Sequence, residues 1–215
     1  MELSLIVCTR DRASRLERTL RAIERLESEH DWELVVVDNA SRDHTKQVVT
    51  EFARDTELTV RHLHEPTPGL SRARNRGCRA AAGRFLALTD DDCYPARDYL
   101  QQLAEVFRRH AVDFIGGRIL LHDPSDAHLT VREERVAELL PPHSFPWAGF
   151  VQGANLAFRR DVFRDLGGFD ELIGTGTPFP ASDIEFCARA SDRGWTGGYF
   201  PGPTVYHDHG RRPGA

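Results

Sequence analysis

Four short apolar runs set the limits on what this chain can fold into. Leu3–Cys8, Glu33–Val37, Leu58–Leu63 and Phe85–Leu88 each have a strand's length and end in polar or turn residues. Amphipathic stretches separate them. A helix is predicted from Ala13 to Glu29, with Leu16, Leu20, Ile23 and Leu26 on one stripe. Thr45, Val48, Val49 and Phe52 mark a second. After the turn Pro66–Gly69, a third runs from Ser71, read as its N-cap, to Ala82. A fourth spans Ala96–His110 and buries Tyr99, Leu103, Val106 and Phe107. Further strands are expected near Phe114–Ile115 and Ile119–Leu121. Strands alternating with helices build βαβ units, hence an α/β fold with a mostly parallel sheet covered on both faces.

Parallel α/β sheets bind ligands outside the carboxyl ends of their strands. Asp38 follows the second run, and Asp90, Asp91 and Asp92 follow the fourth, so all four are expected on one rim. Three adjacent carboxylates repel one another. A hard divalent cation such as Mg²⁺ removes that cost and prefers carboxylate, phosphate and water oxygens. Read from position alone, this metal site competes on even terms with a solvated acidic turn before the next helix. The turn Cys8–Arg12 lacks the glycines that let a backbone approach a pyrophosphate, which rejects a nicotinamide or flavin site.

The 215 residues suffice for one sizeable domain. A net charge of -5 gives no bulk signal for nucleic acid or a membrane surface. Cys8, Cys78, Cys93 and Cys187 are too scattered for a zinc site or a disulfide framework, and they fit a reducing compartment. No signal peptide or transmembrane span is read, so a cytoplasmic protein is expected.

Residues 122–146 carry several prolines and histidines and one candidate helix around Val131–Leu140. Gly153–Arg160 reads as a strand entering a short helix, Asp161–Leu166, closed by Gly167. A flexible loop is expected at Gly174–Pro178. Ser182 is read as an N-cap, with Glu185 completing a capping box. Tyr199–Phe200 and Val205–His209 form the last ordered pattern.

Several of these segments, in order, resemble the family 2 glycosyltransferases of the GT-A fold. They are Val7–Arg12, Val37–Ser41, Pro68–Gly77 with its Ala73-Arg74-Asn75-Arg76-Gly77 core, Leu88–Asp92, and Gly153–Arg160 with Gly167–Glu171. Each motif is weak alone, but their order and spacing together are specific and span nearly the whole chain. The resemblance implies a Rossmann-like, mostly parallel central sheet with helices on both faces and a small acceptor-side extension. It implies a nucleotide-sugar half, 1–121, and an acceptor and catalytic-base half, 122–215, of one domain. It also implies inverting transfer from a nucleotide-diphosphate donor, a UDP-sugar being the first expectation, with Mg²⁺ or Mn²⁺ as cofactor and an unknown acceptor.

On the matching positions, Asp38 would bind the donor's base with Thr9 beside it. Asp92 would hold the metal and Asp90 would lie near the ribose or the metal's waters, with Asp91 as the ligand if the register shifts by one. Asp183 would be the general base. Ser182 stands where the family usually has a glutamate, and Glu185 is its nearest substitute. His207 matches a frequent late histidine of the family at the metal or diphosphate. From position alone, His207 and His209 read equally as exposed residues near a fraying end. Of Arg72, Arg74, Arg76 and Arg79, Arg74 is chosen for the diphosphate, because an arginine fork suits phosphate. An arginine-rich helix otherwise reads as a solvated face. Trp147 and Trp195 read as packing, with a sugar-stacking role open for Trp147. Two other functions fit the residues: a sugar-nucleotide nucleotidyltransferase, and a non-catalytic nucleotide-sugar-binding module.

Overall fold

The computed structural model describes residues 1–175 and 177–214. Gly176, in the loop expected at 174–178, lies outside them. Strands β1 (Leu3–Thr9), β2 (Trp32–Asp38), β3 (Val60–His64) and β4 (Phe85–Asp90) run parallel in the order β3-β2-β1-β4. Helices α1 (Ala13–Ile23), α2 (Thr45–Asp55) and α3 (Leu70–Ala80) connect them. In register, Thr9 stands beside Asp38 and Cys8 beside Asp90, so the three strand ends share one edge.

Alternate residues of these strands face opposite layers, as a period of two requires. Leu5 and Val7 pack with Leu16, Leu20 and Ile23 of α1, whereas Ile6, Val35 and Val37 pack with Ala73 and Cys78 of α3. Helix α3 lies close to the sheet because Gly77 has no side chain. A Cβ there would stand 2.7 Å from Ile6 Cγ2 and 3.0 Å from Val37 Cγ2.

Beyond α4 (Tyr99–Arg109) the sheet becomes mixed. Strand β8 (Leu156–Arg159) inserts antiparallel between β4 and β6 (Phe114–Leu121). Strand β9 (Gly197–His207) runs parallel to β6 and carries β5 (Cys93–Pro95) and β7 (Glu138–Leu140) antiparallel to itself. Since β6 and β9 regain the direction of β4, six of the nine strands point the same way. The 3₁₀ turn Gly153–Asn155 and helices α5 (Arg160–Leu166) and α6 (Ser182–Asp192) complete the order. Among the described residues, no helix is long and apolar enough to cross a membrane.

Several local expectations change. Helix α1 stops at Ile23 rather than Glu29, because the chain turns so that Glu27 N–H reaches the Arg97 carbonyl at 2.8 Å. Helix α4 starts at Tyr99, since Cys93–Pro95 pairs with β9 and Ala96 N–H reaches the Thr204 carbonyl. The helix expected over Val131–Leu140 is absent. Arg132 instead exchanges backbone hydrogen bonds with Ile119, and residues 138–140 form β7. The two strands expected around 114–121 are one, with an irregularity between Gly117 and Arg118. Neither Ser71 nor Ser182 is an N-cap. Each lies inside the first turn of its helix and uses its hydroxyl on a tertiary partner: Ser71 donates to the Ile173 carbonyl, and Ser182 accepts from Arg74.

Candidate active site

The carboxyl edge of the sheet carries the expected residues on the ends of separate elements. Thr9 ends β1, Asp38 ends β2, Asp90 ends β4 and His207 ends β9. Because β1 neighbours β4, the turns after them meet. Thr9 Oγ1 donates to Asp91 Oδ2 at 2.7 Å. Arg12, in the turn after β1, donates through one Nη to Asp91 at 2.5 Å and through the other to Asp92 at 2.6 Å. Arg15 adds a contact to Asp92 at 3.1 Å, and Thr19 Oγ1 holds the Asp91 carbonyl at 2.7 Å.

These surroundings split the three acids electrostatically. Burial raises Asp91 to about 6 despite Arg12 and Thr9. Burial also opposes ionisation of Asp92, but hydrogen bonds and charge from His207 and Arg12 outweigh it and hold the acid at about 2. Asp90 is raised, again by burial first, with Arg74 as the main countervailing charge. His207 Nε2 lies 3.4 Å from Asp92, while its Nδ1 meets Thr130 Oγ1 at 3.1 Å.

Two adjoining cavities open on this edge, with Leu70, Asp90 and Thr175 lining both. The smaller, about 330 Å³, is lined also by Thr9, Arg12, Asn39 and Asp91. The larger, about 690 Å³, is lined by Arg74, Arg132, Trp147, Gln152, Asp183 and His207, among others. Asp183 sits in the first turn of α6. Its Oδ2 accepts the Gly153 N–H at 2.7 Å and its Oδ1 the Ile184 N–H at 2.9 Å. Two backbone donors therefore fix the carboxylate, and each oxygen keeps a lone pair for a hydroxyl in the cavity.

Arg74 is 4% exposed, although it is a cation. Its partners are the Ser182 hydroxyl at 3.1 Å and Asp90 at 3.8 Å, with its guanidinium 5.7 Å from the Phe169 ring centre. Gly153 makes room for it. Asp38 stands on the shared rim but accepts the Ser41 N–H at 2.9 Å and lies 3.6 Å from His64. Its neighbour Asn39 lines the smaller cavity and pins the Gly69 N–H at 2.8 Å. His209 turns from the edge to the Ala127 carbonyl and Asp126.

Ligand atoms of Asp92, Cys93 and His207 lie within 4.8 Å of one another. Burial pushes the Cys93 thiol well above its ordinary range, which keeps it protonated and a poor partner for a hard cation. Carboxylate plus imidazole, with Asp90 lining the same cavity as His207, is a donor set that suits Mg²⁺ or Mn²⁺. Arg12, Arg15 and Gly153 were not singled out from the sequence. The arginine pair carried a signal: residues three apart at a helix start beside the acidic turn share a face.

A family model described as glycosyl transferase family 2 matches residues 4–167. The chain belongs to that family. Similar curated proteins include the glycosyltransferase AglE of Haloferax volcanii, 25% identical over 90% of this chain and 62% of that protein. The pre-mycofactocin glycosyltransferase of Mycobacterium tuberculosis is 28% identical over 97% of this chain and 43% of its own. The chain thus spans less than two thirds of these relatives. Among solved structures, the mannosyltransferase PcManGT of Pyrobaculum calidifontis, in complex with GDP-Man and Mn²⁺, superposes with a TM-score of 0.76. It is 24% identical, and the match covers 99% of this chain and 58% of that one. Residues 1–349 of S. aureus TarS, in complex with UDP-GlcNAc, give a TM-score of 0.70 at 22% identity, over 93% of this chain and 58% of that fragment. Family 2 membership and these GT-A neighbours agree with the fold expected from the motifs.

Proposed function

We propose that the protein is an inverting, metal-dependent glycosyltransferase that moves a sugar from a nucleoside-diphosphate donor to an acceptor hydroxyl. One observation carries this reading: a backbone-fixed carboxylate, Asp183, shares a cavity with Asp90 and His207, and Asp90 also lines the adjoining second cavity. Residues 1–121 supply most of the smaller cavity and would bind the donor, with Thr9 lining it and Asp38, next to the lining residue Asn39, at the base end. Residues 122–215 supply most of the larger cavity and would bind the acceptor. Arg74 lines the larger cavity beside Asp90, which lines both, and would face the diphosphate.

The bond from the anomeric carbon to the β-phosphate oxygen breaks as the acceptor oxygen bonds to the opposite face of that carbon. Asp183 takes the hydroxyl proton, and the nucleoside diphosphate departs. A single base carboxylate supports one displacement and hence inversion. Asp92 and His207, with Asp90, would hold the cation, which as a Lewis acid stabilises charge on the leaving diphosphate. GDP- and UDP-sugars are the first donors to test, because two neighbours bind them.

Removing a positioned general base costs about 10²–10⁴-fold in rate. Asp183→Asn is expected to lose turnover on that scale while retaining Mn²⁺-dependent nucleotide binding in a thermal-shift assay. Wild-type turnover by Asp183→Asn would refute the assignment. Release of pyrophosphate, rather than nucleoside diphosphate, would move the chain to nucleotidyl transfer.

A further inference from the structure

Arg12 bridges two carboxylates that are almost out of water. The Asp91 and Asp92 side chains are 3% and 7% exposed, whereas Arg12 is 40% exposed and lines the smaller cavity. A buried carboxylate needs a compensating cation, and Arg12 supplies one to both. Arg15 differs. Its Nη1 also donates to the Asp208 carbonyl at 2.7 Å and its Nη2 to the His209 carbonyl at 3.4 Å, which tethers it to the chain after β9. Arg12 has no such tether among its described contacts and faces the space assigned to the diphosphate.

A diphosphate offers the same paired oxygens as the two aspartates, and a guanidinium fork suits either. A divalent cation on Asp92, with His207 and Asp90 as proposed above, would compete directly with Arg12 for the Asp92 carboxylate. We infer that Arg12 is a resident counter-ion that exchanges partners, passing from Asp91 and Asp92 to the donor's diphosphate as a divalent cation takes its place at Asp92. The cation alone must displace Arg12 into water, and the nucleotide alone must draw it from two acids. Together each removes the other's cost, so the two bind with positive coupling, which is reciprocal by linkage. This inference rests on the donor and cation site proposed above.

The test is Mn²⁺ titration, followed by the electron paramagnetic resonance of free Mn²⁺, with and without UDP or GDP. Wild type is expected to bind Mn²⁺ about tenfold more tightly with the nucleotide present, within the usual range for coupled sites. Arg12→Gln is expected to bind Mn²⁺ alone about tenfold more tightly than wild type and to gain clearly less from nucleotide, keeping only the coupling that comes from direct contact of cation and diphosphate. Arg12→Lys keeps the charge without the fork and should fall between; it carries the test if Arg12→Gln does not fold. Arg15→Gln removes a charge from the same Asp92 but should preserve the coupling. Unchanged coupling in Arg12→Gln, or equal loss in Arg15→Gln, overturns the role of Arg12 alone. Failure of wild type to bind Mn²⁺ with either nucleotide overturns the donor site as well.

Discussion

Gly153→Ala is the sharpest single perturbation of this site. A Cβ at Gly153 would lie 2.0 Å from Arg74 Nη2, 2.8 Å from its Cζ and 3.1 Å from its Nη1. All three atoms belong to one guanidinium, so that group must retreat. Arg74 is enclosed by the Phe169 ring and Ser182, and moving away breaks its 3.1 Å hydrogen bond to Ser182. Its carboxylate partner among the described residues, Asp90, is already 3.8 Å away. Overpacking of this kind costs about 1–3 kcal/mol of stability, and the low end applies because a side-chain tip yields rather than backbone. The functional loss is larger. A displacement of about 1 Å near reacting groups can cost about 100-fold in rate. Gly153 also donates the N–H that fixes Asp183, so any backbone shift compounds the loss. The assay is urea unfolding alongside donor turnover for wild type, Gly153→Ala, Arg74→Ala and the double variant. In the Arg74→Ala background the added methyl enters vacated space, so its stability cost should nearly vanish, a non-additivity expected of touching residues. Wild-type turnover by Gly153→Ala, or an additive double variant, would refute the claim that Gly153 exists to seat Arg74.

Two further outcomes follow from buried ionisable groups. Glu33 is fully buried, and burial opposes its charge, but hydrogen bonds from Ala82 N–H, Ser4 and Arg61 outweigh this and hold its pKa below the ordinary 4.5. Its contribution is therefore present above 4.5 and lost as pH falls through the folded value. Glu33→Gln leaves a buried donor or acceptor mismatched and should lose about 1–3 kcal/mol in urea unfolding at pH 7. That deficit should shrink in acid, and equal stability at pH 7 would contradict it. For His207, burial lowers the pKa, but the Asp92 hydrogen bond and the charges of Asp92 and Asp90 lift it above 6.5. With chelator present, its contribution is complete below 6.5 and disappears as pH rises through the folded value. His207→Gln should flatten the fall of Tm over that interval, and an identical slope in both proteins would show that the imidazole is not ionised there.

How far the fold can be read from the sequence follows from what fixes each part. The first four strands announce themselves because each is a local pattern: Leu5 and Val7 face one layer while Ile6 faces the other, and turn residues punctuate the ends. A parallel sheet built from such units brings its carboxyl ends together, so Asp38 and Asp90–Asp92 could be placed on one rim without coordinates. The second half has no comparable local pattern. Strand β8 lies between β4 and β6 because of contacts such as those of Asn155, whose amide donates to the Arg118 and Pro203 carbonyls while its oxygen accepts from Tyr99. Arg132, read as part of a helix, is held by Glu138 and by the rings of Trp147, Phe150 and Tyr199. Side-chain to backbone bonds across such separations leave no period in the sequence. Ser182 was misread for the same reason: Ser followed three residues later by Glu matches a capping box, yet its hydroxyl is taken by Arg74, more than a hundred residues away. Two of the residues that failed the local reading, Arg132 and Ser182, line the larger cavity. A site assembled from distant loops must break local rules where it binds its ligand, so misreadings of this kind are themselves a guide to where the site lies.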